Sequence, residues 1–280
     1  MKKIYWLFGV FAGFILIYFV FIPAFRGDLM ISPLIVVGPL VFRWYGLILA
    51  GSLVSGYLVM RTHAWKFGIS AQDVDDYSFW GVIVGIVGAR IYYILFSLDY
   101  YTQNLSEIYK IWHGGLSIYG AVLAGIIFTY FYTKKRVYSF WQLADLVVLG
   151  LPLAQALGRL GNFFNQETFG VPTNLPWKMF VSPEYRPAGF NNFNFFHPTF
   201  LYEAIADLLI FLILQKIVGK TKPGTLLLVY LFGYSLFRFF IESIRLDSFI
   251  IHGFRADQVV AFFIILITGI WLYRREKQLV

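Results

Sequence analysis

A group of polar side chains follows directly on a long apolar segment in the middle of the sequence. The segment FWQLADLVVLGLPLAQAL leads into GRLGNFFNQETFG, which contains Arg159, Asn162 and Glu167. Polar groups in or near hydrocarbon cost free energy, so in membrane proteins they usually mark a functional site. A single arginine at a helix end can instead extend its charge into the interface. The choice between these interpretations depends on the other polar residues that accompany Arg159.

Other apolar segments also carry ionisable groups, which fall toward one end of each segment. In YSLFRFFIESIRLD, Arg238, Glu242 and Arg245 are spaced i, i+4 and i+7, so they share one helix face. The remaining polar candidates in or beside apolar segments are Tyr45, Arg90, Tyr119, His197, Glu203 and Tyr234. Guanidinium groups keep their charge when desolvated and bind phosphate through two parallel hydrogen bonds. A phosphate at membrane depth belongs to a phospholipid, so we expect an arginine-rich pocket for a phospholipid headgroup.

Several common types of catalytic and cofactor site have no signature in this sequence. The four histidines are scattered without the spacing of metal ligands. The chain contains no cysteine, which excludes disulfides, thiolate nucleophiles and thioester intermediates. The motifs of serine hydrolases, phosphate-binding loops and dinucleotide-binding folds do not occur. We therefore expect a protein that uses no metal, nucleotide or other cofactor.

The composition indicates a membrane protein. Of the 280 residues, 59% are hydrophobic and 14% are charged, whereas soluble domains are about half apolar and about a quarter charged. The apolar residues form blocks of roughly 20, the length of helix that crosses about 30 Å of hydrocarbon. We therefore predict an all-α, polytopic integral membrane protein. The predicted spans cover residues 4–25, 44–60, 78–97, 116–133, 140–158, 201–215, 224–244 and 257–273.

The distribution of lysine and arginine predicts how these spans are oriented. The net charge is +8, and one set of short loops holds most of the basic residues, as cytoplasmic loops do. With an even number of spans, both termini are expected in the cytoplasm, and segment 159–200 is expected on the outer side. The first span has roughly 21 apolar residues, more than the roughly 7–15 of a secretory signal peptide, so we expect it to be retained. The charge pattern gives no indication of nucleic-acid binding.

The motif GRLGNFFNQETFG resembles the signature of bacterial prolipoprotein diacylglyceryl transferases. The further motifs FRWYGL, GARIYY, WHGGLSIYG, HPTFLYE and YSLFRFFIESIRLD resemble the same family, in its order and spacing, over most of the chain. The resemblance implies seven transmembrane helices in the bacterial inner membrane and a small periplasmic head at about residues 160–199. Residues 1–43 would then form an additional N-terminal transmembrane helix with its linker, and residues 44–280 the transferase domain.

The resemblance also implies a reaction. Members of the family move the diacylglyceryl group of phosphatidylglycerol to the thiol of the lipobox cysteine in the signal peptide of a preprolipoprotein. A thioether forms and glycerol 1-phosphate leaves, without a cofactor. The expected partners are therefore phosphatidylglycerol, the lipobox signal peptide and the surrounding membrane lipids. This sequence departs from the family where Tyr119 replaces a frequent histidine, and where Phe200 replaces a glutamine of some members.

Roles for individual residues follow from the motif matches and from the chemistry of alkyl transfer. Fixed arginines neutralise the charge that gathers on the departing phosphate, and we assign this role to Arg159 and Arg238. Positive potential also favours the thiolate form of the substrate. The candidates for a base or an orienting group, which the sequence does not rank, are Glu167, Glu203, Glu242 and Tyr119. The candidates for binding the substrate are Tyr45, Arg90, Asn162, Gly170, His197, Tyr234 and Arg245, with Gly170 expected to permit a turn.

Two other classes of function remain open at this point. A lipid or anionic-solute transporter would carry charged residues near the membrane midplane and inverted repeats, whereas here the polar residues gather on one side and no repeat is evident. A non-catalytic membrane scaffold would leave the arginines within apolar segments unexplained.

Overall fold

The N-terminal part of the structure is a short helix that leads into a hairpin. The computed structural model describes residues 17–276, so most of the predicted first span, 4–25, lies outside the described residues. A π-helical turn, Ile17–Phe21, continues into helix α1, Ile22–Arg26. The retention of the first span as a transmembrane helix therefore stays a prediction.

After α1, the described chain consists of helices, with one short antiparallel strand pair before α2, one between α6 and α7 and one between α8 and α9. The helices are α2 Trp44–His63, α3 Ala71–Leu95, α4 Leu98–Gln103, α5 Ile118–Thr133, α6 Phe140–Asn165, α7 Thr199–Ile217, α8 Thr225–Glu242 and α9 Ala256–Glu276. The strands are β1 Leu34–Val37, β2 Leu40–Arg43, β3 Met179–Phe180, β4 Phe195–Phe196, β5 Ile250–Ile251 and β6 Phe254–Arg255. Each odd-numbered strand pairs with the strand that follows it. The 3-10 turns are Ala64–Phe67, Leu105–Glu107, Ile111–His113 and Pro183–Tyr185.

Each predicted span from residue 44 onward coincides with one of these helices. Among the described residues, four helices are long and apolar enough to cross a membrane, namely α3, α6, α8 and the part of α9 up to Arg275. Helix α5 is also apolar but shorter, with 16 residues. The structure thus agrees with a polytopic, mainly helical membrane protein, while the total of seven family spans plus one stays a prediction.

Helix α6 extends further than the sequence predicted. The predicted span ended at residue 158, whereas the helix continues through Arg159 and Asn162 and ends at Asn165. Glycine in this stretch does not end the helix because it serves close packing: a Cβ on Gly161 would lie 2.8 Å from Cδ2 of Tyr45 in α2. The segment predicted to form the head therefore begins with the last turns of α6.

The described residues of Met1–Ser55, Leu151–Ile213 and Leu228–Val280 form one compact unit. Its buried hydrophobic core contains Ala24, Phe163, Phe169, Met179, Val181, Phe196 and Phe200. Phe163 of α6 also stacks on Phe21, with ring centroids 4.8 Å apart. Full burial of one such side chain contributes about 1.5–3 kcal/mol. This core joins the end of α6 to α1 and to the head, and so holds the polar residues of α6 in place.

The head, residues 166–198, is held together by short backbone pairings. Strands β3 and β4 pair with each other, and Gly170 forms a bridge with Arg245 in the segment after α8. The Gly170 N–H also donates to the His197 carbonyl at 2.8 Å. A Cβ on Gly170 would lie 2.6 Å from the carbonyl oxygen of Ile244. This glycine therefore permits the close approach of two backbone segments, whereas the sequence had suggested a turn.

Residues Gly56–Gly150 and Leu214–Leu227 form a second compact unit. Within it, α3 packs closely on α5 because glycines face each other at their contact. A Cβ on Gly88 would lie 2.8 Å from the carbonyl oxygen of Gly120. Small residues allow such close approach of helices in membranes, where burial of apolar area between helices gains little.

Candidate functional site

Three of the predicted arginines converge on one carboxylate, the buried side chain of Glu203 in α7. Glu203 Oε1 accepts hydrogen bonds from Arg238 Nη1 at 3.0 Å and from Arg245 Nη1 at 2.5 Å. Glu203 Oε2 forms an ion pair with Arg159 Nη2. Arg159 lies on α6, Arg238 on α8 and Arg245 in the segment after α8. Separate parts of the chain therefore supply the three guanidinium groups.

Glu242 is the second buried carboxylate of this group. Its Oε2 lies 2.8 Å from Arg238 Nη2 and 3.9 Å from Arg245 Nε. The first contact results from the i, i+4 spacing on α8 that the sequence indicated. Buried charges are tolerated when each is compensated by a partner of opposite sign. We call Arg159, Glu203, Arg238, Glu242 and Arg245 the arginine–carboxylate cluster.

Two further aspartates contact the cluster, and both are more exposed than its own carboxylates. Asp257 Oδ2 lies 2.5 Å from Arg238 Nη2, and Asp247 accepts from Arg245 through both oxygens, at 2.5 and 2.8 Å. Their side chains are 34% and 48% exposed, respectively. Burial alone would lower the pKa of Arg245, but contacts with Asp247 and Glu203 outweigh it and raise that pKa above its usual value. The cluster arginines contact four carboxylates in the described residues, so acidic groups already balance the positive charge that the sequence had suggested.

The end of α6 presents another set of polar groups, which begins one turn after Arg159. The buried Asn162 donates from Nδ2 to Glu167 Oε1 at 2.8 Å, and Asn165 donates to the same oxygen at 3.1 Å. Glu167 itself is exposed. Tyr45 lies within electrostatic range of both Arg159 and Glu167. The structure therefore brings Tyr45, Asn162 and Glu167 to the same end of α6 as Arg159.

His197, Tyr202 and Trp177 form a hydrogen-bonded chain at the junction of the head and α7. Trp177 Nε1–H can only donate, so the Tyr202 hydroxyl accepts this hydrogen bond, at 2.7 Å. The same hydroxyl is also hydrogen-bonded to His197 Nδ1, at 3.1 Å. Burial lowers the pKa of His197, so the ring is neutral at pH 7 and keeps one N–H group. His197 thus offers one N–H donor, which suits a phosphate or ester oxygen.

Arg90, which was predicted to bind the lipid, directs its donors to the protein backbone. It is buried on α3, and its Nε, Nη1 and Nη2 atoms all contact carbonyl groups of segment 107–115. The acceptors are the carbonyl oxygens of Glu107, Ile108, Lys110, Gly114 and Gly115. A guanidinium group has five N–H donors, and these five acceptors use all of them. Arg90 therefore anchors this segment within the second unit.

Tyr119, the other predicted site residue of the second unit, lies in the first turn of α5. Its side chain is exposed, and its ring lies 6.3 Å from the ring of Tyr92. A phenol is a poor base near pH 7, because it loses its proton only at a pH of about 10. The chemistry of Tyr119 therefore suits an orienting role better than that of a base.

Asp207 is a buried residue near the cluster that the sequence motifs did not single out. It lies one turn after Glu203 on α7, and its side chain is 2% exposed. Its Oδ2 accepts no hydrogen bond from any residue between 17 and 276. The charges of Arg159 and Glu203 act on the Asp207 carboxylate, and Asp207 in turn acts on the hydroxyl of Tyr234 in α8. The sequence did contain a signal for Asp207. It lies four residues after a glutamate in an apolar helix, and that spacing places both carboxylates on one helix face.

Comparison with known proteins gives one consistent result. The family described as prolipoprotein diacylglyceryl transferase matches residues 32–274 of this chain. A phosphatidylglycerol–prolipoprotein diacylglyceryl transferase from Fervidobacterium nodosum is 45% identical, over 91% of this chain and 89% of its own. A protein of the same name from Thermotoga petrophila is 44% identical, over 99% and 98% of the two chains. Another from Acaryochloris marina is 44% identical, over 87% and 91%.

Proposed function

The chain belongs to the prolipoprotein diacylglyceryl transferase family, and we propose that its arginine–carboxylate cluster binds the phosphate of the lipid substrate. As a member of this family, the protein transfers a diacylglyceryl group from phosphatidylglycerol to a prolipoprotein. The observation that carries the proposed site is the convergence of Arg159, Arg238 and Arg245 on the buried Glu203. The transporter and scaffold alternatives receive no support from the three relatives described above, each of which is named as a transferase.

The reaction replaces a carbon–oxygen bond with a carbon–sulfur bond. The cysteine thiol loses its proton, and sulfur attacks C3 of the glyceryl group. The electron pair of the C3–O bond leaves with the phosphate, so that glycerol 1-phosphate is released. Negative charge therefore gathers on the phosphate oxygens in the transition state. Fixed guanidinium groups in a site with little water stabilise this charge without having to reorganise.

The cluster accepts a phosphate when Asp247 and Asp257, its two more exposed carboxylates, are displaced from the arginines. Asp257 and Asp247 occupy the Nη2 groups of Arg238 and Arg245, and they are the contacting carboxylates with the most access to solvent. A phosphate that displaces them gains charge-assisted hydrogen bonds from two planar donors. Glu203 meanwhile keeps contact with all three arginines of the cluster. The buried carboxylates thus preorganise the arginines, and the exposed ones balance their charge until the lipid binds.

The residues around the end of α6 complete the proposed lipid site. Asn162 and Tyr45 hydrogen-bond the headgroup, and Glu167 orients Asn162 through the contact at 2.8 Å. His197 donates its ring N–H to a phosphate or ester oxygen. Tyr234 contributes a hydroxyl from α8, within electrostatic range of Arg159 and Arg238. These assignments follow the motif matches and the positions of the side chains in the first unit.

Two of the predicted site residues, Arg90 and Tyr119, lie in the second unit. Arg90 keeps segment 107–115 in place, because its donors are satisfied by that backbone. Tyr119 stays a candidate for an orienting group. Neither residue is assigned a direct bond to the phosphate.

We also propose a location and an orientation for this membrane protein. It lies in the bacterial inner membrane with both termini in the cytoplasm, and residues 160–199 form a periplasmic head. Residues 1–43 add an N-terminal transmembrane helix with its linker to the transferase domain, 44–280. The lipobox cysteine reaches the site from a signal peptide in the membrane. The basic residues of the short loops and the even number of predicted spans support this orientation.

A purified assay tests the site and the activity together. The protein is supplied with phosphatidylglycerol and a lipobox peptide, and mass spectrometry follows diacylglyceryl-peptide and free glycerol 1-phosphate. We expect Arg159→Gln to slow transfer by about 10²–10³-fold, as loss of one transition-state donor does. Arg61→Gln is the matched control, because Arg61 also pairs with an aspartate, Asp75, but lies in the second unit. Undiminished transfer by Arg159→Gln excludes the phosphate site, and no transfer by the unmodified protein excludes the activity.

A further inference from the structure

We propose that Asp207 takes the proton from the substrate thiol, an inference that rests on the transferase function proposed above. The thiolate is the nucleophilic form of cysteine, so the transfer needs a proton acceptor. The side chain that accepts this proton must have an acceptor atom free of other partners and must lie near the leaving phosphate. Among the described residues, Asp207 has such an acceptor atom, and it lies on the same face of α7 as Glu203 of the cluster.

The carboxylate of Glu203 is unsuited to this role because it is already occupied. Its Oε1 accepts from Arg238 and Arg245, and its Oε2 pairs with Arg159. Glu242 likewise directs its Oε2 at Arg238 and Arg245. A thiol reaches an oxygen of Glu203 only by breaking an ion pair. These two carboxylates therefore position the arginines, and another group must accept the proton of the substrate thiol.

Asp207 has an acceptor oxygen that no protein group satisfies. The side chain is 2% exposed, and its Oδ2 accepts no hydrogen bond from the described part of the chain. An unsatisfied buried acceptor costs about 1–3 kcal/mol, which folded proteins rarely leave uncompensated. A substrate group that brings a proton to this oxygen removes that cost during the reaction.

The charged and titratable groups around Asp207 come from three helices. They are Glu203 on α7, Arg159 on α6, and Tyr230 and Tyr234 on α8. Tyr230 donates its hydroxyl proton to Gln155 Oε1 at 2.9 Å and so does not serve Asp207. Arg159 forms no ion pair with Asp207, but its positive charge acts on the carboxylate and offsets part of the cost of burying it. Arg159 thus links the proton acceptor to the phosphate site.

The proposed step conserves atoms and electrons. The S–H bond breaks and its proton moves to Asp207 Oδ2, while the sulfur electron pair forms the S–C3 bond. The C3–O electron pair leaves with the phosphate that Arg159 and Arg238 hold. The protonated Asp207 then returns its proton to the released phosphate monoester or to water, which restores the carboxylate.

The test compares two peptides that differ only in the attacking atom. Asp207→Asn keeps the size of the side chain but cannot accept a proton. A selenocysteine peptide needs no base, because a selenol is already ionised at neutral pH. We expect Asp207→Asn to lower kcat/KM for the cysteine peptide by about 10²–10⁴-fold and for the selenocysteine peptide by less than about tenfold.

Asp145→Asn is the matched control for the loss of a buried carboxylate. Asp145 on α6 is also 2% exposed, but its oxygens accept the backbone N–H groups of Gly224 at 2.6 Å and Leu227 at 2.8 Å. Its substitution is expected to lower the midpoint of thermal unfolding and to leave the ratio of the two peptide rates unchanged.

Other outcomes overturn the inference. If Asp207→Asn lowers kcat/KM equally for both peptides, the effect of the substitution is structural. If it leaves kcat/KM for the cysteine peptide unchanged, Asp207 is not the base. If Asp207→Asn does not fold, pH profiles of the unmodified protein decide. The cysteine-peptide rate is expected to fall at acid pH while the selenocysteine-peptide rate does not, and an identical acid limb for both excludes Asp207. Failure of the unmodified protein on both peptides would instead contradict the transferase function.

Discussion

At the scale of single residues, Glu203 explains how three arginines are buried close together. Guanidinium groups repel one another, and each loses hydration when it leaves water. Glu203 meets Arg159, Arg238 and Arg245 with its two oxygens, so one carboxylate compensates part of all three charges. The arginines are therefore held in a fixed arrangement before substrate arrives, which is the condition for electrostatic stabilisation of a transition state.

Glu203→Gln tests this organising role. The amide has nearly the same size but no charge, so three guanidinium groups lose their shared partner. We expect the free energy of unfolding to fall by about 3–5 kcal/mol, as it does when one member of a buried ion pair is removed. Thermal unfolding in lipid nanodiscs measures the loss, with Glu184→Gln at an exposed position of the head as the control. An unchanged unfolding midpoint would show that the arginines do not depend on Glu203.

The environment of His197 predicts a pH-dependent contribution to stability. Burial lowers the pKa of His197 below its ordinary value of 6.5. Above that pH the ring is neutral in both the folded and unfolded states, and the contribution is constant. As the pH falls below it, the unfolded chain binds the proton more readily than the folded one, so stability decreases until the folded ring is also protonated.

His197→Gln is therefore expected to flatten the decline in unfolding midpoint between about pH 6.5 and pH 5. His252→Gln, which removes an exposed ring, is the control. Parallel curves for the unmodified protein and His197→Gln would contradict the assigned environment.

At the scale of elements, the second unit depends on the contact between α3 and α5. A Cβ on Gly120 would lie 3.0 Å from the Cα of Ala89, a backbone atom that cannot move aside. A Cβ on Gly125, on the same helix, would meet nothing within 4 Å. The two glycines of α5 therefore differ in packing although they share the same backbone conformation.

Alanine at these two positions is expected to have opposite effects. Gly120→Ala should destabilise the protein by about 1–3 kcal/mol through overpacking. Gly125→Ala should be neutral or stabilise it by up to about 1 kcal/mol, because alanine favours helix over glycine. Thermal unfolding of both variants under identical conditions measures the difference. An equal loss of stability for Gly125→Ala and Gly120→Ala would show that the close contact of α5 with α3 does not determine the effect.

The segment before α5 depends on Arg90 in a way that hydrogen exchange detects. Arg90→Lys keeps the charge but replaces a planar group with five donors by an ammonium with three. We expect backbone amides of residues 107–115 to exchange faster and transfer to slow, with the head segment 179–196 unaffected as an internal reference. Unchanged exchange in 107–115, together with lost transfer, would instead favour direct binding of the lipid by Arg90.

At the scale of the whole molecule, the absence of cysteine makes the proposed orientation directly testable. Asn192→Cys places one thiol in the exposed part of the head, and Lys220→Cys places one in a loop between α7 and α8. With the head in the periplasm, an impermeant maleimide should label Asn192→Cys in intact spheroplasts. Lys220→Cys should react only after lysis. The reverse labelling pattern would contradict the orientation predicted from the basic loops.

Local features of the amino-acid sequence were sufficient for the class of fold and for one contact within the candidate site. Apolar blocks of helical length predicted every helix from α2 onward apart from the short α4, because span length is set by the hydrocarbon thickness. The i, i+4 spacing predicted the contact of Arg238 with Glu242, because helix geometry is the same everywhere. The end of α6 was misplaced, because the polar residues from Arg159 onward suggested the end of the span, whereas the helix continues through them to Asn165.

The partner of each charge could not be read from the sequence, because it depends on how helices distant along the chain pack together. Arg159 and Glu203 are 44 positions apart in the numbering, yet they form an ion pair. Arg90 looked like a lipid ligand, but folding surrounds it with backbone carbonyls, whereas Asp207 looked unremarkable and is left with an open acceptor. Spacing along one helix is local geometry that any reader of the sequence can compute. Contact between helices is settled by the packing of all side chains at once, and so it appears only in the folded molecule.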